Sequence, residues 1–431
     1  MKRIIDPRVI SLPPGYQIEV FKTNLNTPVQ LEILPNGEVF YGDSGLADGN
    51  GKLIRMGPRG DIVLADGFTP PLTGITYHEG NFYVSHKQTV TRVSLDGKKE
   101  DVLVGLPSHG DFSNNRVIFG PDGNMYFGQG TATNSGVVGL DNKWLIEYSY
   151  FHDYPAKSIT LNGHNFKTKN LTKNQDIETG AFSPFGSPTK EGEQIRNILP
   201  GNGSILRAKK DGSNLELIAW GLRNPYVLKF DRNNLLWVAN HGMDERGSRP
   251  IKNSPDEFSV ITYGNWYGWP DYTGGYPVTN PLFKPDNSPQ PAFLMKEHPM
   301  RPPRPFVNFL PHTTICGFDF NPYSSFGFFG DAFITEFGPL DPLTTGGKML
   351  HDIGHRITRI DMQSGNLFVF AENYRKLPAS ESVGLGLERP IDLKFGPDQV
   401  MYILDYGIVQ VDQNEVKPLA NTGAIFKVTR I

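Results

Sequence analysis

The stretch LKFGPDQVMYILDYG, residues 393–407, reads as two short apolar strands around a Gly-Pro-Asp turn, the second strand ending in a polar residue and a glycine. The same phrase recurs as LEILPNGEVFYGDSG (31–45), GITYHEGNFYVSH (74–86), VIFGPDGNMYFGQG (117–130), LKFDRNNLLWVANHG (228–242) and FDFNPYSSFGFFGDAFITEFG (318–338). Asn-Gly, Glu-Gly and Asp-Gly supply the positive φ that a tight hairpin needs, so each phrase is a hairpin. Most are followed by a second hairpin: KLIRMGPRGDIVLA (52–65), VTRVSLDGKKEDVLV (90–104), SILRAKKDGSNLELIA (204–219) and RITRIDMQSGNLFVFA (356–371). Each unit is then a four-stranded antiparallel sheet. Six such units predict an all-β chain folded as one six-bladed β-propeller over residues 1–431, with two long loop insertions at about 131–202 and 243–312. GAIFKVTRI (423–431) has no partner strand after it, and YQIEVF (16–21) precedes the first full unit. These two are predicted to pair, so that the N-terminal strand completes the last blade and no sheet edge is left open.

Composition agrees with this reading. Gly (47) and Pro (35) make up about 19% of the 431 residues, against roughly 12% in average proteins, so the chain turns often. Aromatic residues at 12% show that it also carries core material. The formal net charge of -3 gives no electrostatic reason to expect nucleic acid or an anionic membrane as partner. A single cysteine, Cys316, excludes an intrachain disulfide and a multi-thiolate zinc site. No apolar run reaches the roughly 18 residues of a membrane span, and the start MKRIIDPRVISLPPGYQIEVF lacks a signal-peptide core. The chain is therefore expected to be cytoplasmic, or exported if a leader has been removed.

In a propeller the innermost strands line the axis, and the residues just after the second strands are predicted to converge on one mouth. Here they are Asp43, His86, Gln129, His241, Glu336 and Asp405. Polar groups converging in a cleft are the default site hypothesis. Loops entering the inner strands add His109 and Asp111, Arg223 and Asn224, His312, and Arg389. Two arginines facing one pocket need acceptors, which implies a bound carboxylate or phosphate, or salt bridges to Glu336 and Asp405. In the second insertion, SPDEFSVITYGNWYGWPDY (254–272) sets Asp256 and Glu257 ahead of Tyr267, Gly268 and Trp269, with Asp271 after them. Carboxylates and turn carbonyls suit Ca²⁺; the alternative is a loop held by aromatic packing. The insertion 131–202 shows no chemistry of its own and could serve as a lid.

GLRNP (221–225), a hairpin ending in HG (241–242), DE, then NWYGWP (265–270) form an ordered set, with GPDGNMYF (120–127) upstream and ERPIDLKFGPDQVMYILD (388–405) near the end. This set resembles the glucose/sorbosone dehydrogenase family, in order from about Pro13 to the C-terminus. The resemblance implies a six-bladed propeller that oxidises a sugar with pyrroloquinoline quinone and calcium. It implies that Arg223 and Asn224 contact the quinone, that Arg389 meets one of its carboxylates, and that the carbonyls of Gly242 and Met243 hold the cofactor calcium. Glu257, Tyr267 and Asp271 would lie near a structural calcium. Several positions depart from the family pattern: Phe112 stands where a His base is expected, Thr69 where a glutamine is, and Ile391 where a second arginine is, while the lysine expected near Phe337 is missing.

The first functional reading is a sugar or aldehyde dehydrogenase, with His109, Asp111 and Arg223 as catalytic candidates and Arg223, Asn224, His241 and Arg389 on the cofactor. His109, three residues before Phe112, is the candidate replacement base, followed by His241 or His312. The alternatives are a sugar- or small-acid-binding propeller without turnover, suggested by Phe112, and a metal-assisted hydrolase or lactonase.

Overall fold

The computed structural model describes residues 3–382, 385–412 and 415–431. Alternating strands and positive-φ turns build the six predicted blades, each a four-stranded antiparallel unit. Blade 1 runs Pro28–Ile33, Val39–Asp43, Gly51–Arg55 and Ile62–Phe68, and blade 2 runs Leu72–His78, Asn81–His86, Thr89–Ser94 and Lys99–Leu103. Blade 3 is Ile118–Phe119, Met125–Gln129, Ser204–Ala208 and Glu216–Trp220; blade 4 is Pro225–Phe230, Leu236–Asn240, Pro255–Val260 and Val307–Pro311. Blade 5 is Ile315–Phe320, Ala332–Glu336, Arg356–Ile360 and Leu367–Asn373, with the short strand Ile10–Ser11 added outside it.

Blade 6 combines Pro390–Phe395, Met401–Asp405 and Gly423–Arg430 with the N-terminal strand Tyr16–Leu25. Tyr16 lies opposite Arg430 and Leu25 opposite Gly423, the closure expected from the sequence. Phe40 of blade 1 meets Phe82 of blade 2 with ring centroids 4.6 Å apart, and Phe333 of blade 5 meets Phe395 of blade 6 at 5.6 Å. Near the axis the blades approach so closely that a Cβ on Gly128 would lie 2.0 Å from the Pro225 carbonyl oxygen. Only glycine fits there.

The insertions differ in kind. Residues 131–202 interrupt blade 3 between its second and third strands and carry two small hairpins of their own, Ile159–Thr160 with Gln194–Ile195 and Asn165–Lys169 with Asp176–Gly180. Residues 243–312, expected as one insertion, contain the third and outer strands of blade 4, so only the loops on either side of Pro255–Val260 are extra. The sequence hid this because PDEFSV and VNFLP are separated by about a tenth of the chain and lack a hairpin turn between them. Leu161, Phe182, Met243, Trp266, Trp269 and Met295 pack into one apolar cluster joining both insertions.

Candidate functional site: the axial mouth

Each second strand delivers its last residue to the rim of the axis, but strand alternation decides which way that residue faces. Asp43 turns inward to accept from Thr27 Oγ1 at 2.6 Å and from Gly45 N at 3.1 Å. Asp405 accepts from Arg3 Nη1 and Gly407 N, both at 2.9 Å. Glu336 accepts from Arg356 Nε at 3.0 Å and from Thr358, Gln129 donates to the Pro107 carbonyl at 3.1 Å, and His86 Nε2 lies 2.9 Å from Thr91 Oγ1. These polar residues were expected to line the mouth. Five of them instead pin strands and loops behind it, and the next residue along faces the opening in three blades: Ser44, Phe337 and Tyr406.

The mouth itself is a cavity of about 390 Å³. Its wall includes Phe112, Tyr226, Phe337 and Tyr406 as aromatic faces, with Ser44, Thr73, Ser113, Asn115, Asn224 and Asp111 as polar groups. Asp111 is its only charged member among the described residues, and its carboxylate is already engaged: Asn142 Nδ2 and Trp144 Nε1 donate to it at 3.0 and 2.9 Å, and Arg246 Nη2 at 2.6 Å. Asn142 and Trp144 belong to the 131–202 insertion, for which no chemical role was expected. Its contribution is to position a wall residue.

Behind Phe112 and Leu340 lies a polar chamber of about 80 Å³ that includes Arg223, His241, Gly242, Met243, Asp244, Asp256 and His312. Arg223 is buried, paired with Asp244, 3.0 Å from Asn134 Oδ1, and capped by the Phe112 ring at 4.4 Å. Burial pushes Asp244 up, but the charges of Arg223 and Arg246 outweigh it and hold the carboxyl below its usual range. Asn224 receives Asn115 Nδ2 on its oxygen at 2.9 Å and sets its nitrogen 3.0 Å from His241 Nδ1, while His241 Nε2 meets the Ile315 carbonyl at 2.9 Å. Burial lowers the His241 pKa, which favours a neutral imidazole. His312 Nδ1 is 3.8 Å from Asp244 Oδ1.

The two arginines do not pair with Glu336 and Asp405, one of the alternatives left open by their spacing. Arg223 takes Asp244, whereas Arg389 Nη1 donates to the Pro339 carbonyl at 3.0 Å, with the Phe337 ring 5.0 Å from its guanidinium. His109 stacks on Tyr148 at 4.0 Å, and burial together with the Lys87 charge lowers its pKa. It is not part of the mouth wall. Gly242, Met243, Glu257 and Tyr267 border one small cavity beside Arg223 and His241. Glu257 accepts from Gly274 N at 2.6 Å and Asn240 Nδ2 at 3.1 Å, and burial pushes its carboxyl up to about 7. Asp271 lies apart from that cavity, held by Arg249 Nη2 and His298 Nε2 at 3.1 Å and by the amides of Leu294 and Met295. The residues that sequence reasoning missed are Asp244, Arg246 and Arg249: each sits in loop sequence with no local pattern, and only the folded insertion brings it to a partner.

One contact explains why two of the sequence motifs occur together. Trp269 N donates to the Gly221 carbonyl at 2.7 Å and Tyr267 N to the Trp220 carbonyl at 2.8 Å, and a Cβ on Gly221 would fall 2.2 Å from Trp266 Cδ1. GLRNP and NWYGWP are thus two sides of one packed unit. Residues 197–294, which contain both, match the glucose/sorbosone dehydrogenase family. The resemblance read from the sequence therefore holds. The chain is 26% identical over 313 residues to quinoprotein glucose dehydrogenase B of Acinetobacter calcoaceticus, covering 62% of this chain and 56% of that protein. It thus spans a little over half the length of this curated relative. In architecture it is similar to a carbohydrate-active enzyme from Trichoderma reesei, with a TM-score of 0.60 at 14% identity over 99% of both chains. A PQQ-bound aldose sugar dehydrogenase from Streptomyces coelicolor gives a TM-score of 0.54 at 16% identity over 97% of this chain and 99% of that one. The six-bladed architecture is shared with these structures.

Proposed function

We propose that this protein is a sugar-dehydrogenase-type propeller that takes an aldose-like sugar or aldehyde into its axial mouth. The observation that carries the reading is the wall of that mouth, which combines the rings of Phe112, Tyr226, Phe337 and Tyr406 with Asn115, Asn224, Ser44 and Ser113. Flat aromatic faces cover the C–H face of a sugar ring, and amides and hydroxyls exchange hydrogen bonds with its hydroxyls. The relatives named as glucose and aldose dehydrogenases support the same ligand class. Calorimetric titration with a panel of aldoses tests it, and heat from none of them would remove the reading.

The quinone that those relatives carry does not fit this wall as built. Pyrroloquinoline quinone is a tricarboxylate and calls for guanidinium or ammonium donors, yet among the described residues the one charged group on the wall is Asp111. What the chain's own residues do is bind and orient a neutral ring.

Quinone- and calcium-dependent oxidation of the sugar is the second reading, favoured by Arg223 in the chamber behind Phe112 and its chain neighbour Asn224 on the mouth wall. It requires an acceptor for the hydroxyl proton. Phe112 has no lone pair to offer, and the Asp111 carboxylate is already engaged by three donors. Dye reduction after addition of the quinone, Ca²⁺ and an aldose tests this reading. Among the described residues no group of three or more His, Cys, Asp or Glu side chains is placed to hold a metal, so no observation favours the hydrolase alternative.

A further inference from the structure

Resting on the reading of the mouth as the ligand site, we infer that this mouth selects uncharged ligands and rejects the polyanionic quinone of its relatives, with Phe112 as the residue that decides it. Three observations converge on this.

The first is the seat of Phe112. Its ring is a wall of both the 390 Å³ mouth and the 80 Å³ chamber. It therefore stands between an incoming ligand and Arg223, the nearest guanidinium. The position is built in, because a Cβ on Gly130 would lie 2.3 Å from Phe112 Cβ, and the backbone around Phe112 is tied to the next strand by Phe112 N to the Thr131 carbonyl at 3.2 Å and Gly130 N to the Ser113 carbonyl at 3.0 Å. Glycine at 130 makes room for the Cβ at position 112 and so fixes where that side chain starts.

The second is the state of the cations. Arg223 is already neutralised by Asp244 behind the Phe112 ring. Arg389 is buried, with a guanidinium nitrogen on the carbonyls of Phe337 and Pro339, and it is not part of the mouth wall. Ile391 occupies the wall itself. A carboxylate entering the mouth would meet neutral amides, hydroxyls and rings but no cation among the described wall residues, and would lose hydration without gaining a counter-charge.

The third is the sign of the remaining charge. Asp111, the one carboxylate of the wall among the described residues, is paired with Arg246 and offers an anion no counter-charge. A neutral polyol needs none, and finds the aromatic rings and the Asn115 and Asn224 amides instead.

The test uses the full chain and the quinone itself, with and without Ca²⁺, followed by fluorescence quenching and calorimetry. The wild type is expected to show no saturable quinone binding. The double variant Phe112→His/Ile391→Arg, which removes the phenyl cap from Arg223 and puts a cation on the wall, is expected to gain saturable binding at quinone concentrations at least tenfold below the highest at which the wild type shows none. Ile391 is buried, so Leu46→Lys at the half-exposed rim serves as a second cationic variant with little demand on folding. Stoichiometric quinone binding by the wild type overturns the inference, as does failure of every folded cationic variant to bind. An aldose titration in the same cell keeps the two ideas apart: absent sugar heat counts against the proposed ligand class, while quinone binding counts against this inference alone.

Discussion

Arg3 and Asp405 lie 402 positions apart in the chain and 2.9 Å apart in the fold, as a buried ion pair at the seam of blade 6. Arg3 also donates to the carbonyl of Thr422 at 3.0 Å, and Asp405 receives the amides of Glu388 and Arg389. Removing one partner of such a pair strands the other, at a cost of roughly 3–5 kcal/mol. Arg3→Ala is therefore expected to lower stability by about that amount in urea denaturation. A loss below about 1 kcal/mol would mean that the strand pairing alone closes the ring.

Asp153 gives a pH-dependent prediction. Burial pushes its carboxyl up to about 7, against acceptance of the Ala132 amide and the Thr133 hydroxyl. A folded pKa raised above the unfolded value of about 3.9 contributes stability that is fully present below pH 4 and is lost as pH rises through 7. Asp153→Asn keeps the shape and can donate to the Thr133 oxygen. It is expected to match the wild type near pH 4 and to exceed it at pH 8, by up to an order of about 4 kcal/mol. Melting curves at the two pH values decide; equal curves at pH 8 would mean that Asp153 is ionised at little cost.

Around Asp271, protein donors occupy both carboxylate oxygens: Arg249, His298 and two backbone amides. A chelator is accordingly expected to leave the melting temperature unchanged. A fall would reveal a structural ion, since a ligand held only by the folded state stabilises it by mass action.

Tyr406 and His109 separate a wall residue from a neighbour. Tyr406 sets an aromatic face on the mouth, so Tyr406→Leu should weaken aldose binding about five- to tenfold, the equivalent of a lost aromatic contact of about 1 kcal/mol. His109 stacks on Tyr148 away from that wall, so His109→Ala should leave the same titration unchanged. The reverse pattern would place the ligand on the His109 side of the rim.

The blades were legible because their signals are local: an apolar alternation and a positive-φ turn within fifteen residues specify a hairpin wherever it occurs. The mouth was legible only to within one residue. Asp43 and Asp405 are repeated, polar and correctly placed at the ends of their strands, but each folds back on an amide two residues later, Gly45 or Gly407, so that Ser44 and Tyr406 line the cavity in their place. Arg223, Asn224 and Asp111 were found because they flank inner strands. Trp144 and Arg246 were not, because their meeting at Asp111 depends on the path of two loops that no short pattern encodes.

The pairing of Tyr16–Leu25 with Gly423–Arg430 also sets an order of events during synthesis. The strand that the first of these must pair with is made about 400 residues later. At about 5–20 residues per second the wait is on the order of tens of seconds. Throughout that interval an alternating, partly apolar ten-residue segment is available to other strands or to chaperones, and blades 1 to 5 can fold before it has a partner. Ring closure therefore waits until the strands of blade 6 have been made, and until then the N-terminal strand has competitors but no partner of its own.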